Sequence, residues 1–360
     1  MHDEHSLDWA DLKARIVRWS CELGFDDMRI SDATLPPEAE ARLQAWLDAG
    51  FHGEMDYMAA HGMKRARAKE LVPGTIRVIS VRMNYLPPDA ADSGTIMADS
   101  HQAFISRYAL GRDYHKVLRN RLQKLAEKIS NETGAFAFRA FTDSAPVLEV
   151  ETATQAGLGW RGKHTLLLTR EHGSFFFLGE LFVDLPLPID PPLAQDHCGR
   201  CTKCIDVCPT GAIVAPYQVD ARKCISYLTI ELKGSIPEVY RPMIGNRVYG
   251  CDDCQLHCPW NRFAQTSPME DFAIRNGLDK ATLVDLFAWD EATFKANMAG
   301  SAIYRIGHAQ WLRNLAVGLG NAETSPEIIA VLTARLNDAD EVVREHVRWA
   351  LARHGVNLLT

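Results

Sequence analysis

Apolar residues recur at helical intervals between Leu12 and Leu23 and predict a helix there. Val78-Ile79-Ser80-Val81, Thr165-Leu166-Leu167-Leu168 and the stretch from Phe175 to Val183 are instead short continuous apolar runs, which read as buried strands. This mixture, from Leu7 to about Pro186, predicts an α/β or α+β domain. The segment Pro186-Leu-Pro-Ile-Asp-Pro-Pro192 cannot continue a helix or a central strand and marks a boundary. Beyond Trp260 the pattern predicts three helices, Ala309–Gly318, Pro326–Leu336 and Glu341–Arg353, whose size and spacing suggest a short HEAT-like array. The expected parts are residues 1–187, 188–265 and 266–360.

With 360 residues, 47% hydrophobic and 24% charged, the chain can bury cores for two or three domains and is not disordered as a whole. A net charge of -7 argues against broad nucleic-acid binding but leaves room for a local patch. Arg107, Arg112, Lys116, Arg119, Arg121, Lys124 and Lys128 lie together with only Asp113 and Glu127 against them, and Lys64, Arg65, Arg67 and Lys69 form a second group. Either group could hold a polyanion or simply solvate a helix, and Arg305, Arg313, Arg344, Arg348 and Arg353 are matched by acids. The N-terminus carries acids where a signal peptide would be basic, and the Phe175 run is broken by Glu180 and far short of the roughly 20 residues of a membrane span. A cytoplasmic protein without a membrane anchor is expected.

Nine cysteines are present, and all but Cys21 lie between Cys198 and Cys258. Cys21 falls in the first predicted helix and is expected as a small buried hydrophobe. Cys198, Cys201, Cys204 and Cys208-Pro209 reproduce the C-x2-C-x2-C-x3-C-P run that holds iron–sulfur clusters, in which the fourth cysteine serves the other cluster. Cys251, Cys254 and Cys258-Pro259 form a second run that lacks one member, and Cys224 lies between the two. The predicted partition is Cys198, Cys201, Cys204 and Cys258 for one [4Fe–4S] cluster, and Cys208, Cys224, Cys251 and Cys254 for another. Paired zinc sites are the alternative for such CxxC pairs.

Clusters move electrons, so the rest of the chain should hold what receives them. The turn Gly157-Leu-Gly-Trp-Arg-Gly162 would let backbone approach a ligand, although such a cluster is as readily an ordinary turn; no GxGxxG or P-loop occurs.

With Cys224-Ile-Ser-Tyr-Leu-Thr and Tyr249-Gly-Cys-Asp-Asp-Cys-Gln-Leu-His-Cys-Pro beside the cluster run, the chain resembles the epoxyqueuosine reductases over nearly its whole length. Met55-Asp-Tyr-Met, Leu71-Val-Pro-Gly-Thr, Gly111-Arg-Asp-Tyr-His, Thr142-Asp-Ser-Ala-Pro-Val-Leu-Glu and Ala156-Gly-Leu-Gly-Trp-Arg-Gly-Lys carry the resemblance further. It implies an α+β multidomain chain: a cobalamin-binding α/β domain related to reductive dehalogenases, a two-cluster ferredoxin-like module and C-terminal HEAT-like helices. The implied reaction is the two-electron reduction of epoxyqueuosine to queuosine at the wobble position of a tRNA anticodon, the final step of queuosine biosynthesis. The implied partners are that tRNA stem-loop and an unidentified external electron donor, with the enzyme a monomer.

The resemblance makes Asp143 the proton donor, a role that asks for a raised carboxyl pKa; on its own the Asp-Ser pair would read as a turn. It places cobalamin contacts at Arg65, Ser106, Asp143, His164, Leu167, Leu178, Ser226, Cys254 and Gln255, with His164 touching the corrin rather than ligating cobalt. It also raises the expectation of phosphate contacts at Arg313, Asn314 and the basic stretches near Lys64 and Lys116. The competing readings are a corrinoid reductive dehalogenase of a small molecule and a non-catalytic electron-transfer protein.

Overall fold

Asp8 caps the first helix, α1 (Trp9–Glu22), its carboxylate accepting from the amides of Ala10 and Asp11. Leu12, Ile16 and Ser20 form its buried stripe, which leaves Cys21 on the exposed face; the expected buried cysteine is thereby corrected. The computed structural model describes residues 7–193 and 196–357. The first six residues, on which part of the reading of the N-terminus rested, lie outside them.

α1 packs on a sheet of four strands, β1 (Asp27–Asp32), β2 (Arg77–Asn84), β3 (Phe138–Phe141) and β4 (Phe176–Val183), in the order β1-β2-β4-β3. Every neighbouring pair is antiparallel, so of the two readings left open the domain is α+β, and the α/β domain implied by the resemblance is corrected. Apolar runs cannot distinguish these cases, because a central strand covered on both faces reads the same whichever way its neighbours run. Helix α2 (Tyr114–Thr133) joins α1 on one face, where Leu118, Leu122 and Leu125 meet Ile30, Ile79, Val81, Leu181 and Val183. Helix α3 (Glu149–Gln155) covers the other face. The strand expected over 165–168 shrinks to Leu167–Leu168, paired with Trp160–Arg161.

The glycine turn packs against its own chain rather than against a ligand. A Cβ at Gly157, where φ is +81°, would stand 2.3 Å from the Pro191 carbonyl oxygen, and one at Gly159 would stand 2.3 Å from that of Leu168.

Two short helices, α4 (Lys203–Asp206) and α5 (Asp253–Leu256), pack on each other in the cysteine-rich part. The expected C-terminal helices are α6 (Gly307–Asn321), α7 (Pro326–Ala334) and α8 (Glu341–Arg353). One hydrophobic core joins Ile105 and Leu110 from the first part, Val248 and Tyr249 from the second, and Trp311, Leu315, Leu319 and Val347 from the third. Strand Arg247–Tyr249 pairs in parallel with Phe104–Ile105 and stitches the first two parts together.

Arg313 and Asn314 overturn the expected phosphate contacts at those positions. Arg313 is 1% exposed and donates to the carbonyls of Leu228 (2.8 Å), Leu232 (2.6 Å) and Gly234 (2.8 Å). Asn314 donates to those of Thr229 and Val248. Both side chains tie α6 to the middle of the chain, since they are spent on carbonyls that no helix or strand satisfies. Among the described residues no helix is long and apolar enough to cross a membrane.

Candidate functional site

All nine cysteines are free thiols, and eight of them divide between two cavities. Cys198, Cys201, Cys204 and Cys258 ring the first, of about 230 Å³, together with Trp260, His197 and Lys163. Cys208, Cys224, Cys251 and Cys254 lie together in the wall of a second, larger cavity of about 490 Å³. The local cause is the pair α4 and α5: each ends in a Cys-Pro turn, and packing the two helices together points the last cysteine of each toward the other's group.

Among the described residues no three His, Cys, Asp or Glu side chains converge as a single ion requires. Thiols standing apart around a space suit a multi-atom cluster better. Burial raises the thiols of Cys251 and Cys254 well above their ordinary pKa, and that of Cys204 to about 11. Deprotonating them therefore calls for the strong local charge that iron supplies. Backbone amides already face the sulfurs, with Ala212 N donating to Cys208 Sγ at 3.2 Å.

The larger cavity has an apolar wall of Phe176, Phe177, Leu167, Leu178 and Ile225, and polar groups from Ser106, Ser174, Ser226 and Gln255. Its volume is that of a small-molecule or cofactor site. Eight of the nine positions implied for cobalamin contact lie on it; Arg65 does not. The Arg65 guanidinium is buried and donates to the carbonyls of Tyr57 (2.8 Å), Met58 (3.3 Å) and Ala145 (3.1 Å), holding the loop behind Asp143.

His164 stands between the two cavities. Its Nδ1 accepts from Leu166 N at 3.2 Å, so the ring proton sits on Nε2, which is buried without a partner. Burial lowers its pKa to about 4 and keeps it neutral. A protonated Nε2 cannot ligate a metal, but it can donate to a carbonyl of a bound group. The ring packs beside Gly162 at the boundary of the two cavities, and the apolar wall with Ser106, Ser174, Ser226 and Gln255 along it fits an amide-fringed corrin.

Asp143 follows β3 at φ +49°, in the left-handed region that aspartate tolerates. Protein surrounds it, yet 56% of its side chain is open, and that open side lines the cavity. The Tyr114 hydroxyl and His115 Nε2 (3.0 Å) both reach Asp143 Oδ2. Burial would raise the Asp143 pKa, but the bonds from His115 and Tyr114 and the charge of His115 hold it below the ordinary value. The expected raised carboxyl is therefore not Asp143 in the resting protein, because its neighbours solvate the anion.

In His115 the pKa is raised instead. Burial lowers its pKa, but Asp113 on Nδ1 (2.9 Å) and Asp143 on Nε2 more than compensate, against the charge of Arg305. The raised carboxyls are Glu149, pushed to about 8 by burial and the Asp143 charge, and Glu180, pushed well above its usual value. None of His115, Tyr114, Glu149 and Glu180 stands out by spacing. Tyr114, His115 and Glu149 were legible only as members of stretches that carry the family resemblance, and Glu180 only as an acid inside an apolar strand run.

The basic stretches are largely consumed within the fold. Arg107 is buried against Ser93 and Ala91, Arg112 and Arg121 pair with Asp271, and Arg67 pairs with Glu40 and Glu70. Lys64, Lys116, Arg119 and Lys124 remain exposed, without carboxylate partners among the described residues. Arg119 Nη2 lies 3.5 Å from Ser144 Oγ, next to Asp143.

Residues 65–144 match a family profile described as epoxyqueuosine reductase QueG, DUF1730, and residues 197–261 match a 4Fe-4S double cluster binding domain. An epoxyqueuosine reductase of Pseudomonas aeruginosa is 60% identical over 97% of this chain and 96% of its own length. A crystal structure of epoxyqueuosine reductase with a tRNA-Tyr epoxyqueuosine-modified stem loop superposes with a TM-score of 0.89 at 28% identity, covering 97% of this chain and 92% of that one. A Bacillus subtilis epoxyqueuosine reductase, with its catalytic Asp loop swung out of the active site, gives 0.87 at 28% identity, over 96% and 91%.

Proposed function

The chain belongs to the epoxyqueuosine reductase family, and on that premise we propose that it reduces epoxyqueuosine to queuosine at the wobble position of a tRNA anticodon, with Asp143 as proton donor. One observation carries this reading: two groups of four thiols, the second in the wall of a cavity that also contains Asp143. Residues 198, 201, 204 and 258 would hold one [4Fe–4S] cluster and residues 208, 224, 251 and 254 the other. Electrons from an external carrier would then enter at the outer cluster. Cobalamin in the larger cavity supplies a redox-active cobalt centre for the two-electron reduction. Ser106, His164, Leu167, Leu178, Ser226, Cys254 and Gln255 would hold its faces and amide fringe.

The chain's own residues handle protons and position. Tyr114 and His115 fix the Asp143 carboxylate toward the cavity, and His115 Nε2 holds the proton that Asp143 passes to the departing oxygen. Arg65 fastens the loop behind it. Lys64, Lys116, Arg119 and Lys124 offer phosphate contacts on the outer surface, and α6 to α8 form the HEAT-like part of the three-part layout.

The test is anaerobic reconstitution with iron, sulfide and cobalamin, followed by nucleoside analysis of tRNA carrying epoxyqueuosine. About eight iron atoms, one cobalt and conversion to queuosine are expected. Full loading without conversion would overturn the reading.

A further inference from the structure

Glu180 is fully buried in the central strand β4, and neither carboxyl oxygen finds a donor among the described residues. Its polar neighbour is the carboxyl of Glu149, on the helix that packs over β4, and two carboxyls facing each other in a buried seam cannot both give up their protons. Glu149 in turn lines the cavity beside Asp143 and accepts the Asp143 amide at 2.5 Å.

Behind the pair, under α3, Ser80 lies opposite Glu180 in register, and Ser31 is its diagonal neighbour across β1 and β2. Both hydroxyls are buried and without partners among the described residues, as is Oε1 of Gln155 at the far end of α3. Unsatisfied buried polar atoms are costly, so a row of them in one seam points to use rather than to packing.

The reduction itself needs two protons. An epoxide takes up two electrons, here from an external low-potential one-electron carrier through the clusters, together with two protons. Both carbon–oxygen bonds break, a carbon–carbon double bond forms, and the oxygen leaves as water. Asp143 and His115 account for one proton.

We propose that Glu149 and Glu180 share one proton at neutral pH and that Glu149 delivers it as the second proton of the reduction, with Ser80 and Ser31 on the route of its replacement. This rests on the reading of the cavity above. The groups facing Glu149 are Asp143, Glu180, His115, Arg65 and Tyr114. Burial and the Asp143 charge raise its pKa to about 8, against the pull of His115.

Infrared titration of the cofactor-free protein comes first. The wild type should show the carbonyl stretch of protonated carboxyls at neutral pH, weakening as pH rises through about 8, and that component should be missing from Glu149→Gln and shifted to lower pH in Glu180→Gln. The rate of the loaded wild type should fall as pH rises through about 8. Glu149→Gln, which still accepts the Asp143 amide, should be slower by about 100-fold and lose that fall. Glu180→Gln, whose amide donates to Glu149 and keeps it charged, should move the fall down by roughly 1 pH unit or more.

A missing carboxyl band at neutral pH, or a fall that stays in place in both variants, overturns the proposal. Wild-type protein that shows the band but converts no epoxyqueuosine would sink the functional reading and Glu149's part in it, while the shared proton would stand.

Discussion

Arg313 and Glu180 are both ionisable and almost wholly buried, at 1% and 0% exposure, yet the two regions around them treat them in opposite ways. In the C-terminal helices Arg313 spends its guanidinium on three carbonyls and Asn314. His346 likewise bonds through both ring nitrogens, to the Val342 carbonyl and the Ile236 amide. In the seam between the sheet and α3, the oxygens of Glu180, Ser80 and Ser31 go unpaired among the described residues, and so does Nε2 of His164. Arg313 and His346, with their bonds satisfied, hold the fold together, whereas unsatisfied atoms are a cost, carried in α6 by Trp311 Nε1 and Asn321 Oδ1 and in the seam as a row beside the cavity.

The sharpest way to break that contrast is Asp143→Ala. It should leave iron and cobalamin content unchanged and lower conversion of epoxyqueuosine tRNA by about 100-fold or more. Turnover near the wild-type rate would remove Asp143 from the mechanism.

Arg313→Ala should do the reverse. Denaturant unfolding should show a loss of about 3 kcal/mol, because three buried carbonyls lose their donor. The salt dependence of tRNA binding should stay unchanged, and a flatter slope would restore Arg313 as a phosphate contact.

His346 allows a test by pH alone. Burial, with the charge of Arg241, lowers its pKa from 6.5 to about 4, so the fold requires the neutral ring. Its contribution is complete above pH 6.5 and is lost as pH falls through about 4. Unfolding followed across that window should show the decline, and a His346→Gln variant should show less of it.

The smallest effect is expected at Lys116→Ala, on the exposed face of α2. Its stability should change by less than about 0.5 kcal/mol, while the salt slope of tRNA binding drops by about 1. An unchanged slope would place the tRNA elsewhere.

The eight cysteines that divide between the two cavities, the strand at 176–183 and the last three helices could all be read from the chain, because each is a local pattern: a residue spacing, an apolar run or a helical period. Cys21 and Arg313 show where such patterns stop. Both sit in helices the pattern found, yet which face is buried depends on what packs there, and that placed Cys21 outside and Arg313 inside.

By itself, the sequence determined that this protein carries two four-thiol groups, how their members divide, and to which family it belongs. Only the tertiary structure decided the antiparallel order of the sheet and the loss of Arg67, Arg112, Arg121 and Lys128 to internal ion pairs. It also decided that the pKa values of His115, Glu149 and Glu180, around Asp143, are raised. Ligand spacing is written into a few consecutive residues. A pKa depends on burial and on charges that the fold brings together from β3, α2, α3 and β4, far apart along the chain.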